Sequence, residues 1–410
     1  LCTFQILLEE SPSTSNINRK LQNGGPDATN HVTVNNKTFI HNLLHVTGEK
    51  TIQPIVKNNH VFLLLGEIYN WDTILPGDIY HGIDCYFKYG RNFTEYLDGE
   101  FLFIVYKVTD NIIEFYSDPW GTRQFCFDKN KNRFSSFTDY SFRSMPPALN
   151  AYNSLYTFEN GTLQYDKKLH TWDLTQHKTD IETATKAFEA AVLKRWCPNC
   201  TLFLSSGVDS VSIALCLNKY KKPFNSIHVD YGLEDEETFN QVLELTKNYN
   251  NNYIITKPSH HPTDRLIKYG LHQEVIRNHT KRVFKSKVIL MGTGGDELEN
   301  YMSKGRSEFT IWPERLEDIF PWYSFNTTSQ IQCNFHEKKG LRYGLETRNV
   351  FLDKNYVQNW LWLHQDIKNC EYKHIQKEYL RSFNIKLPEK EAAFNQNPLL
   401  HRNPVPYFSD

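Results

Sequence analysis

The chain has 410 residues, a formal net charge of -1, and 40% apolar and 14% aromatic residues. That length allows two domains with separate cores, and the balanced charge excludes a global field drawing the protein to nucleic acid or a membrane surface. No apolar run approaches the ~20 residues of a membrane helix, and eight scattered cysteines are not the dense framework of a small secreted domain, so a reducing cytoplasm is the expected setting.

Residues 1–145 alternate short apolar stretches with turn signals, as at Thr38–Ile40, His60–Leu65, Phe101–Tyr106 and Ile112–Tyr116. Many short strands predict a layered, β-rich domain. From 146 to 178 the pattern weakens, with turns at Pro146-Pro147 and Asn160-Gly161, and this stretch is expected to be a connector. From 179 to 410 strands and helices alternate. Asp180–Trp196 has helical spacing, and apolar runs at Leu202–Leu204, Ser226–Val229, Tyr253–Thr256 and Val288–Met291 are separated by helical segments. That order predicts a parallel α/β sheet with its ligand beyond the carboxyl ends of the strands.

Two turns at such ends carry chemistry. The first is Ser205-Ser206-Gly207-Val208-Asp209-Ser210, where a strand runs through a Ser/Gly turn into a helix. Helix-start N–H groups and the positive end of the helix dipole converge on an anion there. An aspartate beside a phosphate needs a cation between them, which predicts Mg²⁺ at Asp209. The spacing is not that of a Walker loop. The second turn is Gly292-Thr293-Gly294-Gly295-Asp296-Glu297, and its aspartate can share the same ion with Asp209. Cys197-Pro-Asn-Cys200 has no second close pair, so it is expected to be structural and not a zinc site.

Together these residues resemble the asparagine synthetase family. The likeness runs through both halves of the chain. In the second half it is carried by the two turns, by Gly344-Leu345-Glu346-Thr347-Arg348-Asn349-Val350-Phe351-Leu352-Asp353 and by Pro388-Glu389-Lys390-Glu391-Ala392-Ala393-Phe394. In the first half it is carried by Cys2, Gly25-Pro26-Asp27, Gln53-Pro54, Gly66-Glu67-Ile68-Tyr69-Asn70, Leu97-Asp98-Gly99 and Asp118-Pro119-Trp120-Gly121-Thr122-Arg123.

The resemblance implies an α/β parallel-sheet ATP-pyrophosphatase domain in the second half. ATP, with Mg²⁺ on Asp209 and Asp296, adenylates a carboxylate, best matched by aspartate. Ammonia then displaces AMP. Leu204, Ser205, Ser206, Gly207, Asp209, Ser210, Val229, Gly292, Gly294 and Asp296 would bind ATP and pyrophosphate, and Lys390 would neutralise charge in the transition state. The first half would be an α+β, Ntn-type layered sandwich with amidotransferase chemistry. There Cys2 attacks the glutamine amide, and Asn42, Leu65, Gly66, Glu67 and Asp84 stand at the glutamine-binding positions. The implied partners are small molecules, with no nucleic acid or membrane, and a homodimer is the expected assembly.

The chain departs from that pattern in both halves. Cys2 follows Leu1. Leu65 replaces an asparagine that supplies an oxyanion donor, Asn42 an arginine that clamps the glutamine carboxylate, and Gly24 the arginine before Gly25. Losing one oxyanion donor costs about 10²–10³ in rate in other enzymes. An impaired glutaminase is therefore expected. Thr293 stands where the family has a glutamate, and its hydroxyl does not titrate near neutrality. That leaves open a different carboxylate, amidated or cyclised by the same chemistry, and also a non-catalytic nucleotide-binding scaffold.

Overall fold

The computed structural model describes residues 2–9, 19, 21–136, 152–229, 235–256, 277–278, 280–299 and 311–386. The first half contains β1 (Thr3–Leu7), β2 (Ala28–Val34), β3 (Lys37–Leu43), β4 (Ile55–Lys57), β5 (His60–Ile68), α1 (Asp78–Tyr89), β6 (Gly99–Lys107), β7 (Ile112–Ser117), β8 (Cys126–Asp128), β9 (Arg133–Ser135), β10 (Ser154–Glu159) and β11 (Thr162–Lys168). They form a five-stranded sheet, β2-β3-β1-β9-β8, and a six-stranded sheet, β11-β10-β7-β6-β5-β4, whose paired strands run antiparallel.

The period-two alternation of β6 explains the layering. Leu102, Ile104 and Tyr106 face the other sheet, in a core shared with Phe4, Ile6 and Phe39. Phe101, Phe103 and Val105 point the opposite way, against Ile79, Ile83 and Tyr86 of α1. A strand covered on both faces reads as an unbroken apolar run.

The expected connector is not a plain linker. Its residues 154–168 form the β10–β11 hairpin, and β10 pairs antiparallel with β7, extending the second sheet. Asn160 at φ 49° and Gly161 at φ 76° supply the left-handed pair that a two-residue hairpin turn needs.

The second half contains α2 (Glu182–Arg195), β12 (Thr201–Phe203), α3 (Val208–Lys219), β13 (Phe224–Val229), α4 (Glu236–Thr246), β14 (Asn250–Thr256), β15 (Val288–Met291), α5 (Gly295–Glu299), α6 (Ser329–Leu341), β16 (Glu346–Asn349), α7 (Lys354–Leu361), α8 (Gln365–Lys368) and α9 (His374–Arg381). Its sheet is parallel, in the order β14-β13-β12-β15-β16. The helix read from Val211 starts at Val208, inside the Ser/Gly motif. Among the described residues no helix is long and apolar enough to cross a membrane.

The halves meet along β16 and α2 through buried charges. Arg195 spans Glu100 at 2.8 Å and Asp353 at 2.7 Å. Arg123 reaches Glu337 at 2.8 Å and the Thr347 carbonyl at 3.2 Å. Asn349 donates its backbone N–H to Glu100 at 2.9 Å.

Candidate functional site

The order of the parallel sheet makes β12 and β15 neighbours, so the two turns that follow them lie side by side. The first turn is braced by its own hydroxyls. Ser210 Oγ accepts from the Ser205 N–H at 3.0 Å, and Ser205 Oγ accepts from the Gly207 N–H at 3.1 Å. Ser206 is buried, and its Oγ accepts from the Asp235 N–H at 3.1 Å. The serines, expected to donate to a ligand, therefore hold the loop's shape. No side chain caps the start of α3, which leaves its first-turn N–H groups as the anion-facing donors. Leu204 continues β12 by donating to the Ile227 carbonyl at 3.1 Å, and Val229 ends the adjacent strand.

Asp209 lies in the first turn of α3 and Asp296 in the first turn of α5. Glycine is required where the turns touch. A Cβ on Gly295 would lie 2.8 Å from Asp209 Oδ1, and one on Gly294, at φ 102°, would lie 2.6 Å from Leu352 Cδ2. A Cβ on Gly292 would likewise lie 3.1 Å from Asp209 Cβ. Thr293 is buried within the turn. The Gly294 N–H donates to Glu297 at 3.0 Å, and burial raises the Glu297 carboxyl to about 7.

The residue joining the two turns was not visible in the sequence. Lys373 Nζ lies 2.6 Å from Asp209 Oδ2 and 2.5 Å from Asp296 Oδ1. Tyr372 donates its hydroxyl to the same Asp296 oxygen at 2.5 Å. Burial raises the Asp209 carboxyl to about 6, with Lys373 opposing and Asp296 adding to the rise. Burial works against the Lys373 ammonium, but the two aspartates overcome it and hold its pKa well above the usual value. Tyr372 and Lys373 precede α9, and no motif spacing marks them. The one local signal would be Lys373 placed at a helix start, where a cation is unfavourable unless paired.

Asp209 Oδ1 is buried with no hydrogen-bond partner among the described residues. A free carboxylate oxygen beside a second aspartate suits a hard divalent cation such as Mg²⁺, so the donor set fits. Lys390, expected to act on the phosphates, lies outside the described residues.

The first-half residues have other engagements. Cys2 is buried, and burial pushes its thiol up to about 12, far from the thiolate a nucleophile needs. Asn42 donates to Thr3 Oγ1 at 2.9 Å and accepts from Thr29 Oγ1 at 2.8 Å. Leu65 is packed with Cys2 in the core between the sheets. Gly66, at φ 95°, lies so near Glu100 that a Cβ would be 1.9 Å from its carbonyl oxygen. Glu67 is held by Arg348 at 3.1 Å and by the Thr47 hydroxyl at 2.7 Å. A Cβ on Gly24 would lie 2.1 Å from Leu341 Cδ2, so α6 fills the space beside it.

Asp84 does not join this group. It is on the exposed face of α1, 3.2 Å from Lys57. Asp78, at the start of the same helix, is the acid beside Glu67. It accepts from the Ile68 N–H at 2.9 Å, and burial and then Glu67 hold its carboxyl well above the usual range. The Gly77-Asp78 helix start was the available signal.

Residues 199–292, from just before β12 to the Gly292 turn, match the family model of the phosphoadenosine phosphosulfate reductase domain. The glutamine-hydrolysing asparagine synthetase of Sandersonia aurantiaca is 23% identical over 420 aligned residues, covering 87% of this chain and 77% of that protein. A second such synthetase of Oryza sativa is 22% identical over 87% of this chain and 68% of its own length. That of Asparagus officinalis is 23% identical over 83% of this chain and 65% of its own length. These likenesses to the glutamine-hydrolysing asparagine synthetases extend across both halves of the chain, and the family-model match covers the strands that lead into both of the paired turns.

Proposed function

We propose that the second half is an ATP-dependent amide-forming ligase, with aspartate as the substrate to test first. A carboxylate oxygen attacks the α-phosphorus of ATP and pyrophosphate leaves. An amine nitrogen then attacks the acyl carbon and AMP leaves. The observation that carries this reading is the Asp209–Lys373–Asp296 cluster where two strand ends adjoin. The α3 N-terminus would receive the phosphates, and Lys373 would offset charge developing on the departing pyrophosphate. Asp209 and Asp296 would hold Mg²⁺, which neutralises phosphate charge when bound. The unspecialised Thr293 favours a second reading, in which the same chemistry acts on a different carboxylate.

We also propose that nitrogen enters as free ammonium. Support comes from the buried thiol of Cys2, the commitment of Asn42 to Thr3 and Thr29, and the hold of Arg348 on Glu67. The test is pyrophosphate release from ATP and Mg²⁺ with aspartate, comparing ammonium with glutamine. Turnover with ammonium alone supports both statements. Silence with aspartate, but turnover with another carboxylate, selects the second reading. Silence with every carboxylate sinks the ligase proposal.

A further inference from the structure

Lys373 does more than border the aspartate pair. Its ammonium bridges one oxygen of each carboxylate, at 2.6 and 2.5 Å, and so already balances part of their charge. The backbone is bent to allow this. Lys373 sits at φ 57° as the residue before α9, a left-handed conformation that strains a side chain other than glycine. A cation so held on two aspartates competes with any other cation for them.

A divalent ion arriving alone at the free Asp209 Oδ1 meets the ammonium already held on Oδ2 and on Asp296. It must either bear its repulsion or displace it and leave it buried with less counter-charge; both are unfavourable. An ion arriving with a polyphosphate brings the anion to which the ammonium can turn. We infer that Lys373 is the built-in cation of the Asp209–Asp296 pair and makes divalent metal load together with nucleotide. The inference rests on the reading of these aspartates as metal ligands.

The probes are Mn²⁺ alone and Mn²⁺ with the non-cleavable α,β-methylene analogue of ATP, followed by calorimetry and by the Mn²⁺ spin resonance signal. In the unaltered protein the analogue should tighten Mn²⁺ binding at least about tenfold, within the usual range of coupling between two ligands. Lys373→Met should bind Mn²⁺ alone about tenfold more tightly than the unaltered protein, and the analogue about tenfold more weakly. Lys373→Arg, which keeps the charge, should retain the original order of loading.

Equal Mn²⁺ affinity with and without the analogue in the unaltered protein overturns the inference without any variant. So does equal Mn²⁺ affinity in folded Lys373→Met. Either result leaves the ligase reading standing if the analogue still binds. Failure of the analogue to bind the folded, unaltered protein overturns both.

Discussion

Arg195 and Glu100 meet at 2.8 Å across the join of the two halves, with both side chains shielded from water. The same guanidinium holds Asp353 at 2.7 Å, so one cation from α2 binds an acid from each half. Removing it leaves two buried carboxylates with less counter-charge. Arg195→Met is expected to cost about 3–5 kcal/mol of stability, measured by denaturant unfolding. Adding Glu100→Gln and Asp353→Asn should recover part of the loss, because the stranded charges go with it.

Asp209→Asn should lower pyrophosphate release by about 10² or more, since it removes one of the two carboxylates proposed to hold the cation. The variant should still fold and unfold cooperatively with a modest drop in melting temperature, because Lys373 loses one of its two counter-charges but keeps Asp296 at 2.5 Å. Rate and melting curve together separate lost chemistry from lost fold.

Glu299 gives a pH prediction. Burial raises its carboxyl from 4.5 to about 8, with Lys373 opposing. The folded chain therefore keeps a proton that the unfolded chain releases between those values. This contribution to stability is full below about pH 4.5 and is lost as the pH rises toward 8. Glu299→Gln removes the titration. The variant and the parent protein should differ least near pH 4.5, and the variant should gain in relative melting temperature up to about pH 8. A difference that does not vary with pH would refute this.

Gly24→Ala places a methyl 2.1 Å from Leu341 Cδ2. Overpacking of this kind costs about 1–3 kcal/mol. Leu341→Ala in the same chain should restore part of the loss, and a double-mutant cycle of unfolding free energies would measure the coupling.

Glutamate release from glutamine should be undetectable beside ammonium-driven turnover. Putting back the expected side chains with Asn42→Arg and Leu65→Asn should not restore it, because Glu67 stays bound to Arg348 and Leu341 still fills the space beside Gly24. A coupled glutamate assay checks this directly.

The paired turns and the parallel sheet were legible because strand, glycine turn and acidic helix start are local patterns. Tyr372 and Lys373 were not, since they reach the site only when α9 packs on α3. Asp84 was expected at the site and Asp78 was not, because a sequence does not display which face of α1 turns inward. Its position six residues on moves it to the exposed side, beside Lys57. The β10–β11 hairpin was hidden because β11 is largely polar and exposed, as suits the outermost strand of its sheet.

β16 ends the order of the parallel sheet, and a bare end strand invites pairing with other chains. Here the first half covers that rim, with Arg123 on the Thr347 carbonyl and Glu100 on the Asn349 N–H. A first half that released no ammonia would still act as a built-in guard against aggregation. Its removal would then be felt as insolubility before any change in turnover could be read, and the pressure to keep it would be independent of glutamine.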